Sequence, residues 1–131
     1  MKILIIEDHP AELKLAHHVL SEAGHHVTDA EAAEQAFARI KEDRPDLILL
    51  DMNLPGMDGL TLARKLKEDP ATRDVHIVAV SSYPEKYPKA EVLAAGCDAY
   101  LPKPLSTRML SQQLDDAVTA NWDPNGGSKV D

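Results

Sequence analysis

Apolar positions along the chain fall into two alternating kinds of segment. Short, nearly unbroken apolar runs occur as "ILII" at 3–6, "HHV" at 25–27, "LILL" at 47–50, "HIVAV" at 76–80 and "AYL" at 99–101. Runs of this length predict strands, and "HHV" is the weakest of the five. Between them, apolar residues recur at helical spacing. Leu13, Ala16, Leu20 and Ala23 form one stripe, and Ala33, Ala36, Phe37 and Ile40 a second. Leu62 and Leu66 mark a third, Val92, Leu93 and Ala95 a short fourth, and Leu110, Leu114 and Val118 a fifth. Gly24 and Gly96 stand where helix C-caps belong, while Pro45, Pro70, Pro84 and Pro88 break segments.

Five strand–helix alternations in one short chain imply an α/β fold, a doubly wound parallel sheet with helices on both faces. The apolar character of the runs agrees, because parallel strands are buried on both sides. The flavodoxin-like strand order for five strands is 2-1-3-4-5. Residues 1–120 read as one domain. The tail 121–131, "NWDPNGGSKVD", reads as a flexible end in which Trp122 is exposed or loosely packed.

Composition narrows the function. With 131 residues, 44% apolar and 27% charged, the chain reads as one soluble globular domain. Its 14 basic and 22 acidic residues leave a net charge of −8, which argues against direct nucleic-acid binding as its main role. A single cysteine, Cys97, excludes an internal disulfide and reads as a small buried residue. The first apolar run has four residues, too few for a signal peptide or a span of about 20 residues. No membrane insertion and a cytoplasmic location are the expectation.

In open parallel sheets ligands sit beyond the carboxyl ends of the strands, where strand order reverses. Those ends here carry Glu7 and Asp8, Asp51, Ser81 with Ser82, and Lys103. With strands one and three roughly 4.8 Å apart, Asp8 and Asp51 face each other and Glu7 lies alongside. Three carboxylates so close repel, so they either take up a proton or hold a cation, and a hard, hydrated ion such as Mg²⁺ suits them. Lys103 reaches the same cluster. A carboxylate beside a divalent ion, a lysine and a hydroxyl is arranged to accept a phosphoryl group, with Asp51 as nucleophile and Ser81 as a hydrogen-bond donor.

These motifs resemble those of response-regulator receiver domains, the phosphoacceptor half of two-component signalling, over about residues 1–120. "ILIIEDHP" resembles the family's first strand and acidic pair, and "PDLILLDMNLPGMDGL" its phosphorylation-site signature. "VHIVAVSS" matches the strand that ends in Ser/Thr, and "AAGCDAYLPKPL" the lysine-bearing segment. The resemblance implies that Asp51 is phosphorylated, that Glu7, Asp8, Asp51 and the backbone carbonyl of Asn53 hold Mg²⁺, and that Ser81 and Lys103 contact the phosphoryl group. It makes Tyr100 the aromatic whose orientation follows Ser81, and the Lys103–Pro104 bond cis. It further implies a phosphorelay: a histidine kinase or phosphotransfer protein as donor, and a downstream protein engaged through the face of helix four, strand five and helix five. The type is single-domain and chemotaxis-regulator-like, a switch rather than an enzyme acting on a separate substrate, with homodimerisation through that face left open. Glu7 stands where many members have aspartate, and Ser81 where threonine is commoner. Pro84 and Pro88 predict a shortened or late-starting fourth helix.

Asp51 has rivals among the chain's other residues. Asp46 fits a turn, and Asp58 a helix N-cap. The pairs His17/His18 and His25/His26 lack a ligand framework and read as solvated or satisfied residues. Tyr83 and Tyr87 read as surface loop. A haloacid-dehalogenase-like phosphatase also uses an aspartyl nucleophile but carries it after strand one in a D-x-D pattern, whereas strand one here ends "EDHP". A receiver-like scaffold that has lost phosphorylation would have no use for the full charge cluster.

Overall fold

The computed structural model describes residues 1–119 and, beyond them, only the backbone of 122–123 and 127–128. Strands β1 (Lys2–Ile6), β2 (His26–Ala30), β3 (Leu47–Asp51), β4 (His76–Ser81) and β5 (Ala99–Pro102) form one sheet. Helices α1 (Pro10–Glu22), α2 (Ala33–Glu42), α3 (Gly59–Glu68), α4 (Lys89–Ala94) and α5 (Leu110–Val118) alternate with them. The order is β2-β1-β3-β4-β5 and every pairing is parallel, as the apolar pattern predicts. Two short antiparallel strands, β6 (Trp122–Asp123) and β7 (Gly127–Ser128), follow. The expected flexible tail otherwise lies outside the described residues.

The central position of β3 explains its composition: all five residues are buried. At the sheet edge, only Ala30 of β2 is fully buried. That is why its signal is weak and why the strand begins at His26 and runs on through polar Thr28 and Asp29. Gly24 and Gly96 follow α1 and α4 with φ of +95° and +109°, the left-handed conformation that ends a helix at little cost only for glycine.

Three assignments of individual side chains need correction, and the first is Ala23, which lies exposed just past the end of α1 rather than on its buried face. Phe37 is 40% exposed, not core. The buried face of α2 is Ala33, Ala36 and Ile40, and one residue beyond Ala36 turns about 100° away from it. Tyr87 is 3% exposed, not a surface residue. Its ring joins the core and its hydroxyl donates to Asp58 Oδ2 at 3.3 Å. Pro88 then stands at the N-cap of α4, which has only six residues, the shortening that the prolines predict.

Asp58 caps α3, its Oδ1 accepting from the Thr61 N–H at 2.9 Å. Partial burial pushes its carboxyl up, but the hydrogen bonds from Thr61 and Tyr87 and the charge of Lys86 leave it below its usual 3.8. A depressed carboxyl stabilises the fold above its unfolded pKa and loses that contribution as pH falls through the folded value. Asp58→Ala should therefore cost about 1–2 kcal/mol in urea unfolding at neutral pH. The gap to wild type should shrink below about pH 4; a gap independent of pH would assign the cost to packing alone.

Candidate functional site

The strand ends converge because the sheet fixes their register. Ile6 pairs with Leu50, Asp51 with Val80, and Ser81 with Pro102. Past the ladders, the Met52 N–H donates to the Val80 carbonyl at 2.9 Å and the Lys103 N–H to the Ser81 carbonyl at 3.0 Å. Glu7 and Asp51 thus leave neighbouring strands at one level, with Ser81 one residue and Lys103 two residues further along theirs.

Lys103 is the hub. Its Nζ donates to Glu7 Oε1 at 2.6 Å and to Glu12 Oε2 at 2.9 Å, and lies 3.4 Å from Asp51 Oδ2. Its side chain is 9% exposed, Glu7's 8% and Asp51's 3%. Burial opposes the lysine's charge, but the carboxylates of Glu7, Glu12 and Asp51 outweigh it, and the pKa is raised. The Glu7 carboxyl is pushed up as well, first by burial and then by Asp51, against the pull of Lys103 and His9. One ammonium thus serves a group of acids that together outnumber it.

Asp51 and Asp8 keep unused lone pairs. Asp51 Oδ1 accepts from the Asn53 N–H at 3.1 Å, whereas buried Asp51 Oδ2 and Asp8 Oδ1 make no hydrogen bond. A buried polar atom without a partner is costly. Ligand atoms of Glu7, Asp8, His9 and Asp51 all lie within 4.8 Å of one another. An oxygen-rich cluster with orphaned carboxylate oxygens fits a hard divalent cation.

Ser81 and Tyr100 engage different partners. Buried Ser81 Oγ accepts from the Tyr83 N–H at 2.9 Å, and the buried Tyr100 hydroxyl donates to the Tyr87 carbonyl at 3.0 Å. The Lys103–Pro104 bond is cis. A cavity of about 90 Å³ opens between α1 and α5, apolar at Leu15, Val19 and Leu110 and ending at Glu7, Asp51 and Lys103.

Sequence reasoning missed two residues here. Glu12 and His9 both reach the cluster, with His9 Nδ1 lying 3.1 Å from Glu7 Oε2 and 3.2 Å from Glu12 Oε2. Their signal was Pro10 at the first position of α1. Proline starts a helix directly after the acidic pair, so that helix's first turn must sit over the strand ends. Of the other histidines, His17 pairs with Asp29 and His25 with Ser111, both away from the site. Cys97 is buried and its thiol is pushed up to about 12, chiefly by burial.

An aspartate, further acids and a lysine with a largely buried side chain thus meet at the reversal point of a doubly wound sheet. Residues 3–115 match the response regulator receiver domain, and the chain belongs to that family. It is 40% identical over 112 residues to the phosphate regulon transcriptional regulatory protein PhoB of Pseudomonas aeruginosa, covering 86% of this chain and 49% of that protein. It is 32% identical to the polar-differentiation response regulator DivK of Brucella anthropi, covering 79% and 85% respectively. The chain thus spans about half of PhoB, and 24% of the similar response regulator PleD of Caulobacter vibrioides. Among solved structures, the Vibrio cholerae chemotaxis response regulator CheY4 superposes with TM-score 0.80 at 27% identity, covering 88% of this chain and 97% of that one. The receiver domain of Pseudomonas aeruginosa sensor histidine kinase PA1611 does so with TM-score 0.80 at 29% identity, covering 90% and 97%. That domain holds a magnesium ion in its active-site cleft. Among the described residues here, no helix is long and apolar enough to cross a membrane.

Proposed function

We propose that this domain accepts a phosphoryl group on Asp51 from a histidine kinase or a histidine phosphotransfer protein, in a Mg²⁺-dependent reaction, and switches protein contacts as a result. The observation that carries this is Asp51 Oδ2, buried without a hydrogen bond and 3.4 Å from the Lys103 ammonium. Glu7, Asp8, Asp51 and the Asn53 carbonyl would hold the ion, whose chemistry is to neutralise charge on the phosphoryl oxygens. The Asn53 N–H fixes one Asp51 oxygen and leaves lone pairs on the other for attack on phosphorus. Lys103 adds positive charge where negative charge gathers. Ser81 Oγ, while accepting from the Tyr83 N–H, keeps its own proton to donate to a phosphoryl oxygen.

The new charge draws Lys103 and Ser81 inward. Lys103 then loosens from Glu12 on α1, and the strand that carries Tyr100 moves with it. The face built from α4, β5 and α5 becomes the surface whose affinity for a downstream protein, or for a second copy, changes. The same reading takes residues 1–120 as the receiver unit and 121–131 as its tail, working in the cytoplasm.

A small-molecule phosphodonor supplied with Mg²⁺ should add a single phosphoryl group by intact-mass spectrometry, and chelation should prevent it. Incorporation that ignores the chelator would overturn the reading. Steady turnover of a generic phosphate ester would favour a hydrolase instead.

A further inference from the structure

We propose that His9 is a direct nitrogen ligand to the divalent ion at this site and biases it towards late first-row transition ions, Co²⁺ and Ni²⁺ over Mg²⁺. The inference rests on the metal-binding reading of the acid cluster and names a ligand beyond its oxygens. His9 precedes α1 as its N-cap residue, with φ −87° and ψ 111° and no side-chain capping bond. Pro10 restricts the residue before it to this extended region, which sets the direction in which the His9 side chain leaves the backbone. The ring turns back over the strand ends. Its Nδ1 lies 3.1 Å from Glu7 Oε2, 3.2 Å from Glu12 Oε2 and 3.4 Å from Asp8 Oδ1.

A group of acids alone would not make a site. The independent observation is Asp51, 3% exposed, whose Oδ2 has no hydrogen-bond partner and belongs to the same cluster. Ligand atoms of Glu7, Asp8, His9 and Asp51 lie within 4.8 Å of one another, close to the roughly 4.2 Å that separates opposite ligands around a small octahedral ion. An all-oxygen set suits Mg²⁺, which retains several waters, whereas imidazole suits the later transition ions. One nitrogen among three carboxylates therefore moves selectivity without removing the oxygen set that Mg²⁺ uses.

The plainer role for His9 is a surface ion pair with its acidic neighbours. The two roles differ in a measurable ratio. An electrostatic His9 alters the affinity for every divalent ion by a similar factor, whereas a ligating His9 alters the ratio between ions.

Calorimetric titration of the full chain with Co²⁺ and with Mg²⁺, for wild type and His9→Ala, gives that ratio. The Co²⁺ preference should fall by about tenfold in His9→Ala. Pulsed EPR of the Mn²⁺-loaded chain should show imidazole ¹⁴N coupling that the substitution removes. An unchanged ratio together with absent nitrogen coupling would overturn the proposal while leaving the phosphoacceptor reading intact. Failure of wild type to bind either ion would overturn both.

Discussion

Asp51→Asn is expected to abolish phosphoryl incorporation and, in the presence of a chelator, to make the protein more stable. The substitution keeps the size and shape of the side chain and removes one negative charge. Asn53 still has an oxygen to donate to, and Lys103 still has Glu7 at 2.6 Å and Glu12 at 2.9 Å. What disappears is one negative charge among buried, crowded acids. Relief of like charges in a poorly solvated site should outweigh the 3.4 Å contact with Lys103, by about 1–2 kcal/mol. Addition of Mg²⁺ should reverse the order. Binding stabilises a folded protein more the tighter it is, and the variant lacks one of the proposed ligand carboxylates. Urea unfolding with and without Mg²⁺ checks both signs. A variant less stable than wild type in chelator would mean that Asp51 is held mainly by Lys103, and that the cluster is not starved of cations.

Gly59→Ala is expected to cost about 2–4 kcal/mol, several times the effect of an ordinary surface change. Gly59 opens α3 where that helix crosses the end of β3, and its N–H donates to the Met52 carbonyl at 2.9 Å. A Cβ there would collide with the Asp51 carbonyl oxygen and stand 2.7 Å from Met52 Cα. Both are backbone atoms, so no rotamer change relieves the clash. The chain must shift at Asp51, the proposed phosphoacceptor, and Mg²⁺ affinity should fall together with stability. Gly56→Ala is the contrast: φ is +71° and nothing lies within 4 Å of a Cβ, so the cost is about 1 kcal/mol of backbone strain. Equal costs for the two variants would remove close packing as the reason for glycine at position 59.

Much of this was legible in the chain. The run at 47–50 is buried throughout because β3 has neighbours on both sides, and a strand in that position admits few polar residues. Asp51 and Lys103 stood out because they end such runs. Legibility failed where burial depends on a distant partner. Tyr87 lies between two prolines with no periodic signal, and what buries its hydroxyl is Asp58, 29 positions away. Glu12 looked like any acidic residue in a first helical turn until the start of α1 was placed over the strand ends. Phe37 failed differently, since a stripe defined by spacing alone does not say which flank faces the sheet when two small alanines already fill the contact.

The segment between β4 and α4 is pinned at both ends. Near its start the Tyr83 N–H holds Ser81 Oγ, and at its finish the Tyr87 phenol holds Asp58 while its carbonyl receives Tyr100. Between these, the N–H groups of Lys86 and Tyr87 both donate to the Tyr83 carbonyl and close the span into a compact turn. The stretch is thus a stiff handle rather than a slack connector. Each pin is worth about 1 kcal/mol, close to thermal energy, so whether the six-residue helix beyond stays seated is decided by a handful of single bonds.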